Sequence, residues 1–183
     1  AKMFWTSERV NWRAKWQSDY RWDKIEGSLE GLGVDYGGLE LIPDFQRGHV
    51  WSKTQQVHFV ENCLRGVVAS NGFLIQFNCA SWNENVKSLD LPSGLQCLDG
   101  LQRYTAITEF VKGEVKPFGL SPDDLKNTQF HPSKFYMKVA VHCFTSRSDL
   151  LAHYIAINSG GTQHSAEEID RVRGLLEQAK PRT

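Results

Sequence analysis

Apolar positions recur along this chain with two different periods, and the changes of period mark out its elements. Val57, Val60 and Leu64 form one stripe at helical spacing, ended by Gly66. Ser52, with Gln55 three residues on, is a capping box that satisfies the exposed amides of a helix start. Phe73–Phe77 reads as a strand, and residues 83–94 as a polar loop. Leu95–Leu98 is a second short strand, broken abruptly at Asp99-Gly100, and Tyr104, Ile107, Phe110 and Val111 return at once to helical spacing. Residues 113–133, with Pro117, Pro122 and Pro132, read as a loop insertion. Phe135–Val141 alternates like a strand. Leu150, Leu151, Tyr154 and Ile155 mark a helix that stops at Asn158-Ser159-Gly160-Gly161. A final helix opens on a second capping box, Ser165 and Glu168, and turns Ile169, Val172, Leu175 and Leu176 inward.

The start is less regular. Trp5, Trp12, Trp16, Tyr20 and Trp22 stand among charges, and Gly27, Gly31, Gly33, Gly37 and Gly38 come after them. The pattern predicts a short helix around Ser7–Tyr20, then a loop, then a short strand Leu39–Ile42 ending at Pro43. A tryptophan-rich extension, residues 1–38, is therefore expected ahead of one domain, residues 39–180. Short strands mixed with helices give an α/β (or α+β) fold, a short mixed sheet with surrounding helices.

Composition narrows the class. A chain of 183 residues fits one domain, and 40% hydrophobic with 23% charged residues is ordinary for a globular protein. No run approaches the ~18 apolar residues of a membrane span, and the N-terminus lacks a signal-peptide core, so a soluble cytoplasmic protein is expected, without a membrane partner. Cys63, Cys79, Cys97 and Cys143 form no CxxC pair and sit in or beside apolar stretches, which suits reduced core residues. A formal net charge of zero argues against a broadly basic nucleic-acid clamp, although it permits a local basic groove.

Three segments carry candidate chemistry. In Leu95–Ile107 a strand delivers the chain to Asp99-Gly100, and glycine permits a tight turn and close backbone approach. The next helix starts with free amides and the positive end of its dipole. Gln102 and Arg103 lie in its first turn, where a guanidinium can fork onto phosphate or carboxylate oxygens. The plainer reading is a strand–helix connection in which Asp99 caps the helix and pairs with Arg103. In Ile42–Trp51, Gln46, Arg47 and His49 stand between the aromatic residues Phe45 and Trp51; the plainer reading is an exposed loop with an Asp44–Arg47 surface pair. In Ile155–Glu168, Asn158 ends a helix and Gly160-Gly161 either cap it or leave amides free as an anion nest.

Other chemistries lack their signatures. There is no GxxxxGK[ST], no dinucleotide fingerprint around Gly31-Leu32-Gly33, no GxSxG, and no HExxH or other metal-ligand spacing among the six histidines. No metal-ligating residues are therefore assigned. His142 and His153 read as satisfied core side chains.

In order and at these distances, IPDFQRGHVW, DGLQRYTAI and YIAINSGGTQHSAEE resemble a known family. It is the ParB/sulfiredoxin-like domain at the N-terminus of GmrSD-type modification-dependent restriction enzymes and SspE proteins, over about residues 39–170. The resemblance implies that fold, and a nucleoside triphosphate as substrate or ligand, accompanied by Mg²⁺. It implies Asp99, Gln102 and Arg103 as catalytic residues, with Gln46, Arg47, Gly100, Gln102, Arg103 and Asn158 holding phosphate. Leu101 departs from the family, which has glutamine there, and bears on hydrolysis more than on binding. The restriction enzymes carry a separate HNH nuclease domain after this one; this sequence shows no histidine-rich ββα-metal pattern, so nicking of DNA would fall to the ParB-like domain itself.

Three functions compete at this point. The first is nucleotide binding with phosphohydrolase and DNA-nicking activity, of restriction or phage type. The second is a non-catalytic decoy or inhibitor that binds a host protein, with the tryptophan-rich start as its anchor. The third is DNA binding without nucleotide, through Arg9, Arg13, Lys15, Arg21 and Lys24.

Overall fold

Alternation of buried and exposed positions builds a five-stranded mixed sheet, seen in a computed structural model that describes residues 13–48, 50–83, 90–159 and 166–181. The strands are β1 (Trp16–Arg21), β2 (Leu39–Glu40), β3 (Leu74–Cys79), β4 (Leu95–Asp99) and β5 (Tyr136–His142). Their order is β1-β5-β3-β4-β2; β1 runs antiparallel to β5, and β3 antiparallel to β4, while β3–β5 and β2–β4 are parallel. The helices are α1 (Ile25–Tyr36), α2 (Lys53–Leu64), α3 (Leu101–Val111), α4 (Arg147–Ser159) and α5 (Ala166–Ala179). The architecture is the expected α/β class.

Two cores lie on either side of the sheet. Ile75, Phe77, Val139 and Val141 pack with Ile25 and Leu29 of α1, Val60 of α2 and Ile107 of α3. On the other side Leu98 meets Phe45, Leu150, Leu151, Tyr154 and Val172, which brings α4 and α5 down. The Ser52–Gln55 capping box forms in both directions, at 3.2 and 2.8 Å. The cap expected at Ser165, the glycines 160 and 161, and His49 lie outside the described residues.

Two expectations for the start need correction. Residues 16–20 are strand, not helix, and residues 7–12 lie outside the described residues. Trp16 and Tyr20, four apart, fit one helical face, but they equally fit a period of two, and pairing with β5 decides between them. The glycine-rich stretch expected as loop is mostly α1. Burial of Ile25, Leu29 and Gly33 outweighs the weak helix propensity of its glycines. Residues 16–36 thus share one sheet and one core with the rest of the domain. Trp22 is fully buried, stacked on Phe135 at 4.6 Å and edge-on to Phe110 at 6.2 Å. Trp16 leans on Trp82 at 5.4 Å.

His142 and His153 are buried side by side, their rings 4.6 Å apart and both against Phe144. Burial, with His142 adding, holds His153 down to about 4.

Trp22→Ala removes the largest fully buried side chain and is expected to cost about 3–5 kcal/mol in urea unfolding, whereas Val34→Ala, on an exposed position, changes stability by less than about 0.5 kcal/mol. His153 takes up its proton far more readily unfolded, near 6.5, than folded, near 4. Stability is therefore whole above the unfolded value, falls as pH drops through this window, and levels off below it. Melting temperatures measured from pH 7 to pH 4 should show that decline, and His153→Leu should make it shallower.

Candidate functional site

Strand β4 carries one residue more than its partner: Phe77 faces Cys97, but Gln76 faces Asp99, so the chain bulges at Leu98. Strict alternation would put Asp99 on the face of Leu95 and Cys97. The extra residue turns it instead beside Gln76, whose Nε2 donates to Asp99 Oδ2 at 3.4 Å. Gly100 comes next with φ +95°, and a Cβ there would stand 2.5 Å from the Leu74 carbonyl oxygen. Only glycine fits this crossing. Helix α3 then begins with Gly100, not Asp99, at its N-cap, and no side chain caps its first amides.

That start fixes two buried side chains. Arg103 Nη2 donates to the Leu74 carbonyl at 3.0 Å and to Asp99 Oδ2 at 3.2 Å. Its Nε is buried and meets no acceptor among the described residues. Gln102 reaches the other way. Its Oε1 accepts from Val50 N and Trp51 N at 2.9 and 3.0 Å, and its Nε2 donates to the Gly48 carbonyl at 2.6 Å. Three bonds from one amide hold the 48–51 segment against α3.

The same loop is gripped from the second core. Gln46 Nε2 donates to the Cys97 carbonyl at 3.4 Å, and Tyr154 Oη donates to Gln46 Oε1 at 3.3 Å. Burial foremost pushes the Tyr154 hydroxyl up to about 12, so it stays a neutral donor. Arg171 of α5 donates to the carbonyls of Asp44 and Phe45 at 3.0 and 2.9 Å. Asp44 pairs with Arg147, not with Arg47 as the surface-pair reading had it. Arg47 consequently lines the cleft with no hydrogen-bond acceptor among the described residues.

Residues 46, 47, 99, 100, 102, 103 and 158, distant in sequence, border this one cleft. Asn158 is buried there, with its Nδ2 donating to the Tyr154 carbonyl at 2.8 Å. Space for water-sized groups in this cleft, as lined by the described residues, is about 20 Å³, room for about one water. Cys97, just behind it, is buried and pushed far up by desolvation, so it is a thiol that donates to the Asp99 carbonyl and not a nucleophile. No group of three or more His, Cys, Asp or Glu gathers among the described residues. Asp99 is the one carboxylate bordering the cleft and is already paired with Arg103, so these residues do not by themselves fit a metal ion.

Sequence reasoning missed Gln76, His142, Tyr154, Arg147 and Arg171. Tyr154 lies within the third motif, but the others carried no local signal, since each acts across the sheet or between helices.

These features define an α/β domain with an arginine-lined, glycine-turn cleft. The family model for the GmrSD restriction endonuclease N-terminal domain matches residues 32–143, more than half of the chain, and the protein belongs to that family. The match includes the first two motifs and stops before the third. No curated protein and no solved structure matches the chain. Membership brings a restriction-enzyme-related function. No described helix is long and apolar enough to cross a membrane.

Gly100→Ala is expected to lower stability by at least about 2 kcal/mol in denaturant unfolding, because the new Cβ meets backbone and the φ is unfavourable.

Proposed function

We propose that the cleft binds the phosphate end of a nucleoside triphosphate and supports slow hydrolysis of it, as part of a restriction-type activity. The observation that supports this most is Arg47, which lines the same cleft as the start of α3 and meets no acceptor among the described residues. An oxyanion there receives α3 amides, the helix dipole and a guanidinium together. Arg103, half satisfied by Leu74 and Asp99, adds charge behind the floor. Asn158 is a further polar neighbour.

The roles within the site are set by what each side chain is already doing. Gln102 spends both ends of its amide on the 48–51 segment, so it works as a clamp that places Arg47, and not as the residue that orients water. Asp99 is the group to accept a proton from an attacking water. Leu101 is buried in the first core, so its side chain serves packing. Any Mg²⁺ arrives held by the triphosphate itself, since the protein residues do not make a site for it. Nicking of DNA is a further step of the same proposal, and no basic groove among the described residues yet speaks for it.

A protein-binding decoy is the second reading. Its tryptophan anchor is weakened by Trp22 and Trp16, which the domain's own core occupies. Trp5 and Trp12 lie outside the described residues.

Isothermal titration of the four nucleoside triphosphates with Mg²⁺ tests the proposal. Arg47→Ala should weaken binding about tenfold or more with an unchanged melting temperature, because only a charge-assisted contact is removed. Equal binding by wild type and Arg47→Ala, or none by either, overturns the phosphate reading.

A further inference from the structure

Three neighbouring strands bring polar side chains together on the α4–α5 side of the sheet: His142 on β5, Gln76 on β3 and Asp99 on β4. Gln76 lies directly opposite Asp99, and His142 is two residues beyond Ala140, Gln76's partner on β5. The hydrogen bonds between them admit a single arrangement. A carboxylate only accepts, so the Gln76 end at Asp99, 3.4 Å from Oδ2, is the amide nitrogen. The other end is then an oxygen, and it lies 3.0 Å from His142 Nε2. His142 must therefore carry its proton on Nε2.

Among the described residues no other group bonds Gln76 Oε1. His142 Nδ1 is buried and meets no hydrogen-bond partner among the described residues. Burial also holds the imidazole below its ordinary value, so the neutral ring is the resident form. The ring is fixed by its surroundings. Phe144 stacks on it at 5.8 Å and 15°, and Asn78 locks Phe144 by both accepting from its amide at 2.7 Å and donating to its carbonyl at 3.1 Å. A rigid imidazole thus orients an amide, and the amide orients a carboxylate.

We infer that Gln76 and His142 are positioning residues of the cleft, a relay that turns Asp99 Oδ2 inward and leaves Oδ1 as the acceptor for whatever enters. Gln76 and Arg103 both bind Oδ2, and no described group donates to Oδ1. Without the relay Asp99 keeps only its Arg103 bond, while Arg103 stays anchored on the Leu74 carbonyl, so the cleft loses a fixed acceptor. The functional half of this inference rests on the phosphate reading above; the geometric half does not.

The test has two arms on the full chain. Two-bond proton–nitrogen spectra of histidine-labelled protein should show neutral His142 protonated at Nε2 at pH 7, and Gln76→Leu should release that preference. Protonation at Nδ1 in the wild type, or no change in Gln76→Leu, overturns the relay whatever the protein binds. Hydrolysis of Mg²⁺–ATP forms the second arm. Gln76→Leu should slow it about tenfold and His142→Leu about threefold, because the proton acceptor Asp99 loses its orienting bond directly in one and indirectly in the other. Because His142 acts through Gln76, the double variant should be no slower than Gln76→Leu, and His142→Gln, which keeps a donor, should restore the rate. Losses that multiply, or no rescue in a His142→Gln protein with a native melting temperature, overturn the relay. Absent ATP hydrolysis in the wild type with the expected histidine spectra overturns the hydrolysis reading alone and upholds the relay's geometry.

Discussion

The crossing of Gly100 over the Leu74–Ile75 backbone is the constraint on which the rest of the site depends. A β-carbon at that point would sit 2.5 Å from a carbonyl oxygen, inside any tolerable contact. Because the turn passes so close, α3 begins directly over β3. Arg103 can then reach back to the Leu74 carbonyl, and Gln102 can reach forward to the 48–51 segment. The bulge at Leu98 belongs to the same geometry, since without it Asp99 would face the other core. Turn, bulge and helix start therefore form one unit, fixed by sterics before any charge is counted.

Around this unit the loop 43–51 is held from two directions. Gln102 binds its far end from α3, while Tyr154, Arg147 and Arg171 bind its near end from α4 and α5. Most of these partners are backbone carbonyls and amides, so the polar side chains are committed to holding the chain in place. Arg47 is the exception. Among the described residues the Arg47 guanidinium meets no acceptor, and the proposed function leans on it rather than on Arg103 for that reason.

Membership of the restriction endonuclease N-terminal family and the geometry speak to different levels. The family gives the restriction context over residues 32–143. The geometry gives a cleft whose glutamine clamps the chain at Gly48, Val50 and Trp51 and whose aspartate is bonded to Gln76, itself bonded to His142. A leucine at position 101 is compatible with that arrangement because the position faces the core.

Local chemistry was legible in the amino-acid sequence. The Ser52–Gln55 cap, the abrupt Asp99-Gly100 break and the helix after it rest on interactions within a few residues and stand where the pattern put them, and β3, β4 and β5 lie within two residues of their expected bounds. The candidate residues Gln46, Arg47, Asp99, Gly100, Gln102, Arg103 and Asn158, drawn from the three motifs, border one cleft. Other features were settled only by tertiary structure. Trp16 and Tyr20 suit a helix or a strand, and the β5 edge selected the strand. Three glycines inside α1 argue for a loop, and burial of Ile25 and Leu29 overrode them. Arg47, Gln102 and Asp99 have the same side chains in any fold, yet the first is available, the second engaged and the third aimed by Gln76 and His142. Those differences depend on which backbone groups come within about 3 Å across the sheet, the reach of a hydrogen bond, and sequence-local forces do not specify that.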